Sequence, residues 1–431
     1  MKHVSEQFSG LNSLEKSLLV RYFYLFSIDE IAADRRLQWI FGGLLLYLYV
    51  AFSNWMYSSV LSIDAVTHNA YSCWPFFQSC GDWYFLRGLP YGYSQPGVYM
   101  FFFAVMLLIV YLMARKQWLY AHLAYVFLFV WEVFYFLMAS PDSLGNFDYY
   151  HLILSLFFLF SPHKLFFTRL VFVLCYFLAS TIKIHEGWIL GTYFTSLQTG
   201  LPIFPDSVAP IITNIVIFMQ IVGCWFLLSN KTWLQRSALA YFVVFHLYSG
   251  LLVGYRYPTI ALVMLLLIFA GRIEHPSIPF TKKSMLSWGL IAVLFALQFI
   301  SIAIPGDAKL TLEGNNYGLY MFEANHQCVS KTVFTYVDGR TENKKSESPV
   351  ARNRCNPYSF WFNLHQVCQR DPSIQSIRWT FDHSVNGRPF YRIVDTENAC
   401  TLRYKAFSHN DWIHGPKEAV IVGRPVKNIF R

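Results

Sequence analysis

Residues 170–182 read LVFVLCYFLASTI, an unbroken apolar and small-residue run, and residue 183 is a lysine, followed by His185, Glu186 and Trp188. The run has the character of a membrane-spanning helix. An ionisable group at its end either snorkels to the interface or marks a functional site, because charge at membrane depth is costly. The reading of the whole chain follows from placing this segment among its neighbours.

Hydrophobic residues make up 55% of the chain and charged residues only 14%, a balance outside the range of ordinary soluble domains. The sequence therefore predicts an all-α polytopic membrane bundle followed by a small α+β domain. Apolar segments long enough for spans fall at about 38–58, 97–114, 119–139, 147–163, 167–184, 209–229, 237–254, 258–271 and 287–304, which makes about nine. This gives three regions: 1–36 as a cytoplasmic amphipathic segment, 37–305 as the transmembrane domain and 306–431 as an extracytoplasmic domain.

Charge sets the expected orientation. Lys2, Lys16, Arg21, Arg35 and Arg36 precede the first span, and alternate loops repeat the bias with Arg115 and Lys116, Lys164 and Arg169, Lys231 and Arg236, then Arg272, Lys282 and Lys283. By the positive-inside rule the N-terminus is cytoplasmic, and nine spans carry everything after Pro305 outside. The net charge of +9 then reports topology and anionic lipid rather than nucleic acid. Cys73, Cys80, Cys328, Cys355, Cys368 and Cys400 all fall in outward segments, where an oxidising compartment permits disulfides. The four cysteines of the tail allow three pairings, and no Cys-x-x-Cys spacing points to a metal. A bacterial inner membrane is expected, ahead of the endoplasmic reticulum.

Leu18, Tyr22, Leu25 and Phe26 give the N-terminal segment a helical apolar face suited to lying on the membrane. The aromatic outer loop near 59–96 is expected to lid an outward cavity. In the tail, Lys331 to Val337 before Asp338-Gly339 reads as a hairpin. Asn386-Gly387 marks a second, and Asn356-Pro357 opens a helix carrying Phe360, Trp361, Leu364 and Val367.

Four ionisable residues lie within the spans, away from their cytoplasmic ends: Glu132, His151, Lys183 and His246. Their convergence on one outward-facing site is expected, with Lys183 able to pair with Glu132. Plainer roles stand beside this one: a snorkelling lysine, a structural histidine bonded across helices for His246, and a solvated His151 with Asp148. Tyr149, Tyr150, Trp188, Tyr193, Tyr255 and Tyr257 suit either a pocket lining or an interfacial aromatic belt. Arg256, between two tyrosines, suits a carboxylate or an interfacial anchor.

The element Lys183-Ile184-His185-Glu186-Gly187-Trp188 resembles the Lys-x-x-x-x-Trp element of the vitamin K-dependent gamma-carboxylase-like family, also called HTTM. Phe245-His246 is similar to that family's second catalytic-region histidine. Weaker likenesses lie in Asn146-Phe147-Asp148-Tyr149, in Ser161-Pro162-His163, and in Ser27-Ile28-Asp29 with Arg36 and Gly42-Gly43. Met321 to His326 stands where such proteins begin their β-rich outer region.

The resemblance implies a membrane lyase or oxygenase using reduced vitamin K or a related quinol. Lys183 would be the base that deprotonates the quinol, whose reaction with oxygen then yields a stronger base. His246 and Glu132 would complete the catalytic set, with His151, Trp188, Arg256 and Tyr257 around the cofactor and an extracytoplasmic protein or peptide as substrate. A lysine serves as base only when neutral, a state that burial favours and a nearby carboxylate opposes. One departure bears on activity: the connection 161–169 is shorter than the carboxylase's and offers no counterpart for the histidine assisting its glutamate step. A non-enzymatic bundle presenting an outer binding domain is the second reading. A transporter is the third, though no paired broken segments indicate inverted repeats.

Overall fold

The computed structural model describes residues 13–57, 72–83, 94–138, 145–254, 258–271, 277–320, 322–348 and 355–425. Helix α1 covers Ser13–Leu25. It precedes α2 Arg35–Tyr57, α3 Ser94–Ala114, α4 Trp118–Met138, α5 Asn146–Phe160 and α6 Lys164–Thr181. Then follow α7 Ala209–Ile221, α8 Thr232–Leu251, α9 Pro258–Phe269 and α10 Met285–Gln298. A 3-10 turn at Gly223–Leu228 extends α7. Each interval singled out by hydropathy thus carries a helix. Among the described residues, Trp118–Leu137, Lys164–Thr181 and Asp206–Leu228 are long and apolar enough to cross a membrane.

Helix α6 is the hub, packed against α5, α7, α9 and α10. Of its crossing window 72% is buried, against 28% for Asp206–Leu228, which lies at the rim. Its sequence lacks a polar stripe for that reason, as expected of a helix covered on all sides.

Lys164, counted by sequence as a cytoplasmic loop charge, is completely buried. Its ammonium donates to the carbonyls of Phe158 at 2.6 Å, Leu159 at 3.1 Å and Ser161 at 3.4 Å, closing the C-terminal end of α5. The Glu30 carboxylate accepts from the backbone N–H groups of His163 at 2.9 Å and Lys164 at 2.7 Å, which caps α6. The N-terminal segment is therefore docked on the bundle. Ile28 and Ile31 are buried, and the Tyr22 hydroxyl meets His122 Nδ1 at 3.1 Å. Leu18 and Leu25 keep 58% and 57% exposure, so only part of the expected apolar face is left for lipid.

The C-terminal part holds an antiparallel five-stranded sheet in the order β2-β1-β3-β4-β5 and the helix Pro357–Arg370. The strands are β1 His326–Tyr336, β2 Thr341–Ser348, β3 Ile374–Val385, β4 Phe390–Thr396 and β5 Val420–Gly423. Both expected hairpins form. Asn386 and Gly387 have φ of 52° and 74°, the left-handed pair that a tight β3–β4 turn requires. Helix α11, Pro357–Arg370, starts where Asn356 accepts from the Tyr358 N–H at 3.1 Å. Disulfides join Cys73 to Cys80, Cys328 to Cys355 and Cys368 to Cys400, which selects one of the three pairings open in the tail.

The first disulfide loop clamps sheet domain to bundle. Cys73 O accepts from the Tyr358 hydroxyl at 2.7 Å, Trp74 donates to Phe136 O at 2.6 Å, and Gln78 donates to Tyr404 O at 3.2 Å. Over its described part, 72–83, this loop holds α11 to the bundle and lines no cavity near Lys183. The rest of the expected lid, 59–71 and 84–93, lies outside the described residues.

Candidate functional site

Helix α6 ends at Thr181, and the chain turns sharply, with the Lys183 N–H donating to Ser180 O at 3.0 Å. His185 starts the short helix Glu186–Ile189: its Nδ1 accepts from the Gly187 N–H at 3.0 Å, and its Nε2 faces Glu323 O at 2.7 Å. Those partners require the neutral ring with its proton on Nε2. Burial, reinforced by the Lys309 charge, pushes the His185 pKa down to about 4 and keeps it neutral.

This turn sets Lys183 and Trp188 together. Its Nζ lies 4.9 Å from the Trp188 ring centroid and donates to Gln220 Oε1 at 2.7 Å. The same oxygen accepts from the Ser180 hydroxyl at 2.7 Å. Gln220, on α7, interrupts an apolar stretch, and that interruption is the sequence signal by which it was findable. Trp188 donates to Phe322 O at 2.8 Å, and Phe322 has φ of 52°, a left-handed conformation costing a bulky residue about 1–2 kcal/mol.

Lys183, Trp188 and Phe322 border an apolar cavity of about 360 Å³ between α7 and α8. Its walls include Ile212, Val216, Tyr241, Phe245, Tyr248 and Leu201, and Lys183 is the one charged residue among its described lining. Lys183 is 4% exposed, so its head group turns inward. Snorkelling to water does not describe it.

His246 stands behind the cavity wall. Its Nε2 bonds the Tyr176 hydroxyl, and Tyr176 stacks on Phe242 at 4.6 Å. Its neighbours Phe245 and Ser249 line the cavity, but the imidazole is turned toward α6.

Glu132 and His151 form a separate cluster, so the expected convergence of four groups gives way to two sites. His151 Nδ1 meets Glu132 Oε1 at 2.7 Å, and both side chains are buried. His151 Nε2 lies 3.0 Å from the Tyr125 hydroxyl, 3.1 Å from Ser155 Oγ and 3.1 Å from Leu44 O. Helices α2, α4 and α5 supply these partners, whereas α6, α7 and the following turn supply those of Lys183. Lys183 thus bonds an amide and not the Glu132 carboxylate. Nor are Asp148 and His151 solvated: both are fully buried, and Asp148 caps α5 by accepting from the Gly145 N–H at 2.7 Å.

Arg256 and Tyr257 lie outside the described residues. One buried pair escaped the sequence reading altogether. His326 Nδ1 and His383 Nε2 are 3.0 Å apart on neighbouring strands, His383 Nδ1 faces Leu310 O at 2.6 Å, and His326 Nε2 lies 3.9 Å from Glu323. Burial first, and His326 second, hold the His383 pKa down at about 3.

The junction with the sheet is tight. The Asn325 N–H donates to Asn386 Oδ1 and the Asn386 N–H to Asn325 O, each at 2.9 Å, and the Asn325 amide bonds Tyr193 O. A Cβ on Gly187 would run into the Asn386 and His185 side chains, so a larger residue there would displace one or both. The β3–β4 turn thereby positions the segment that carries Trp188.

No family model, curated protein or solved structure matches this chain.

Proposed function

We propose that this is a polytopic membrane protein in which α2 to α10 all cross the bilayer, with the N-terminus cytoplasmic and the disulfide-bonded sheet domain outside. We further propose that it binds a quinol-type amphiphile in the cavity at Lys183 and takes a proton from it, in keeping with the HTTM-like element Lys183 to Trp188. The carrying observation is a single inward-turned lysine nitrogen on the wall of an otherwise apolar cavity, hydrogen-bonded to an amide and not to a carboxylate; as the neutral amine, the form that burial favours, it accepts the quinol proton and becomes the ammonium. Apolar walls suit a hydrocarbon-bearing ring, and a lone amine suits its polar oxygen.

The residues have separable tasks. Gln220 and Ser180 orient the Lys183 amine, and Trp188 packs beneath it. Ile212, Val216 and Phe245 exclude water. The quinol, once bound, brings the reactivity toward oxygen that no side chain supplies. His246 acts through its bond to the Tyr176 hydroxyl, which links α8 to α6. Glu132 and His151 hold α4 to α5, apart from the chemistry. Oxidase or oxygenase chemistry at the quinol is proposed, and glutamate carboxylation is left out because 161–169 is short.

The test is extraction and mass spectrometry of small molecules from detergent-purified protein, followed by titration with vitamin K hydroquinone read by the quenching of tryptophan fluorescence that a Trp188→Phe variant loses. Wild type should carry or bind a quinone. Lys183→Met and the cavity-filling Val216→Trp should both lose it while remaining folded. Absence of quinone binding in wild type, or equal binding by all three proteins, would falsify the reading.

A further inference from the structure

The wall of the cavity at Lys183 carries hydroxyl groups among its hydrocarbon, from Thr213, Tyr241, Tyr248 and Ser249. Two of them are committed inside the protein. Thr213 donates to Trp188 O at 2.6 Å, and Tyr248 donates to Pro202 O at 2.6 Å. Tyr241 is only partly buried and lies two turns of α8 away from Ser249, about 12 Å by helical rise.

Ser249 differs from all three. It is 3% exposed and lines the cavity, and among the described residues its hydroxyl has no hydrogen-bond partner. A serine inside a helix commonly bonds a carbonyl one turn earlier, and Ser249 makes no such bond to Phe245 O. A hydroxyl withheld from bulk water and from the protein is costly, so the molecule that fills the cavity is what answers it.

Position ties this hydroxyl to Lys183. Lys183 follows directly on the end of α6 at Thr181, and Ser249 lies in the last turn of α8, which ends at Leu251. Both polar groups therefore stand at the C-terminal ends of their helices and border one cavity. At about 360 Å³ that cavity is at the small end of ligand sites, so a single ring system meets both walls. A hydroxyl donates or accepts as required, which suits it to either the O–H of a reduced ring or the C=O of an oxidised one.

We propose that Ser249 is the specificity-determining residue of this site and holds the second oxygen of the ring whose first oxygen meets Lys183, with hydrocarbon running down α8 past Phe245 and Val244. This inference rests on the quinol reading and narrows the substrate class to rings with two opposed oxygens. A monohydric phenol leaves Ser249 unanswered. A fatty alcohol or fatty acid brings one polar end where the cavity has two.

The experiment is isothermal titration calorimetry of the full chain in detergent, under nitrogen, with two probes: tetramethylhydroquinone and the tetramethylphenol that lacks one of its oxygens. The ratio of their affinities is measured in wild type and in Ser249→Ala. That ratio should fall about fivefold in the variant, or about 1 kcal/mol, the size of one hydrogen bond between neutral groups. Without ligand, Ser249→Ala should melt at or above the wild-type temperature, because the hydroxyl it removes bonds nothing in the protein. An unchanged ratio in Ser249→Ala overturns the assignment of Ser249 and leaves the quinol reading standing. A marked loss of stability in the unliganded variant overturns it as well, by making the hydroxyl structural. Wild type that binds neither probe overturns both readings together.

Discussion

Lys164 and Lys183 stand at opposite ends of the same buried stretch of chain, and their surroundings differ in kind. Lys164 spends its ammonium on three backbone carbonyls and leaves no donor over. Lys183 has one hydrogen bond, to Gln220, and an aromatic face, and beside it is empty apolar volume. Burial is common to both, so burial alone does not mark a functional lysine. The distinguishing feature is incomplete satisfaction next to a cavity. Glu132 with His151 is enclosed among Tyr125, Ser155 and Leu44 O, and although Glu132 Oε2 has no hydrogen-bond partner among the described residues, neither residue lines the cavity at Lys183.

Lys183→Met should have the largest effect: complete loss of bound quinone with thermal unfolding in detergent close to wild type. A large fall in stability with quinone retained would erase the contrast. Lys164→Met should do the reverse, losing roughly 1–3 kcal/mol per carbonyl left without a donor, with quinone binding preserved in whatever folds. Equilibrium unfolding set beside quinone content reads both.

Acid should act through the enclosed groups. His383 has a folded pKa near 3, below the 6.5 of the unfolded chain, so the unfolded state binds the extra proton between those values. Stability is full above about pH 6.5 and falls by about 1.4 kcal/mol per pH unit as pH drops, levelling near the folded value. His383→Gln should flatten that slope in melting curves taken from pH 7 to pH 5. An unchanged slope would show that the pair is not what loses the acid limb. The smallest effect is expected of Glu132→Gln, which keeps an acceptor for His151 but removes its charge. About 1 kcal/mol should be lost, with quinone binding intact. Loss of binding in this variant would rejoin the two clusters that the structure separates.

Much of the architecture was legible because it is written locally. Apolar runs place the helices, Asp338-Gly339 and Asn386-Gly387 place the hairpin turns, and Asn356-Pro357 starts α11. Each depends on residues within a few positions of one another, and period or turn chemistry carries them. The Lys183 to Trp188 element was legible too, since one short turn holds both side chains.

What remained hidden is set by contacts distant in sequence. Gln220 lies 37 residues from Lys183, Leu44 lies 107 from His151, and Glu30 lies 134 from the Lys164 N–H it caps. Sequence alone determined that the chain is apolar and helical with a disulfide-permissive β-rich tail, and that Lys183 is out of place in such a run. Only the tertiary structure decided that Glu132 belongs to His151, that Lys164 is a cap and Lys183 borders a cavity, and which cysteines pair. The physical reason is that a buried polar group must find its partner in space, and which helices bring partners together is a property of packing and not of any one segment.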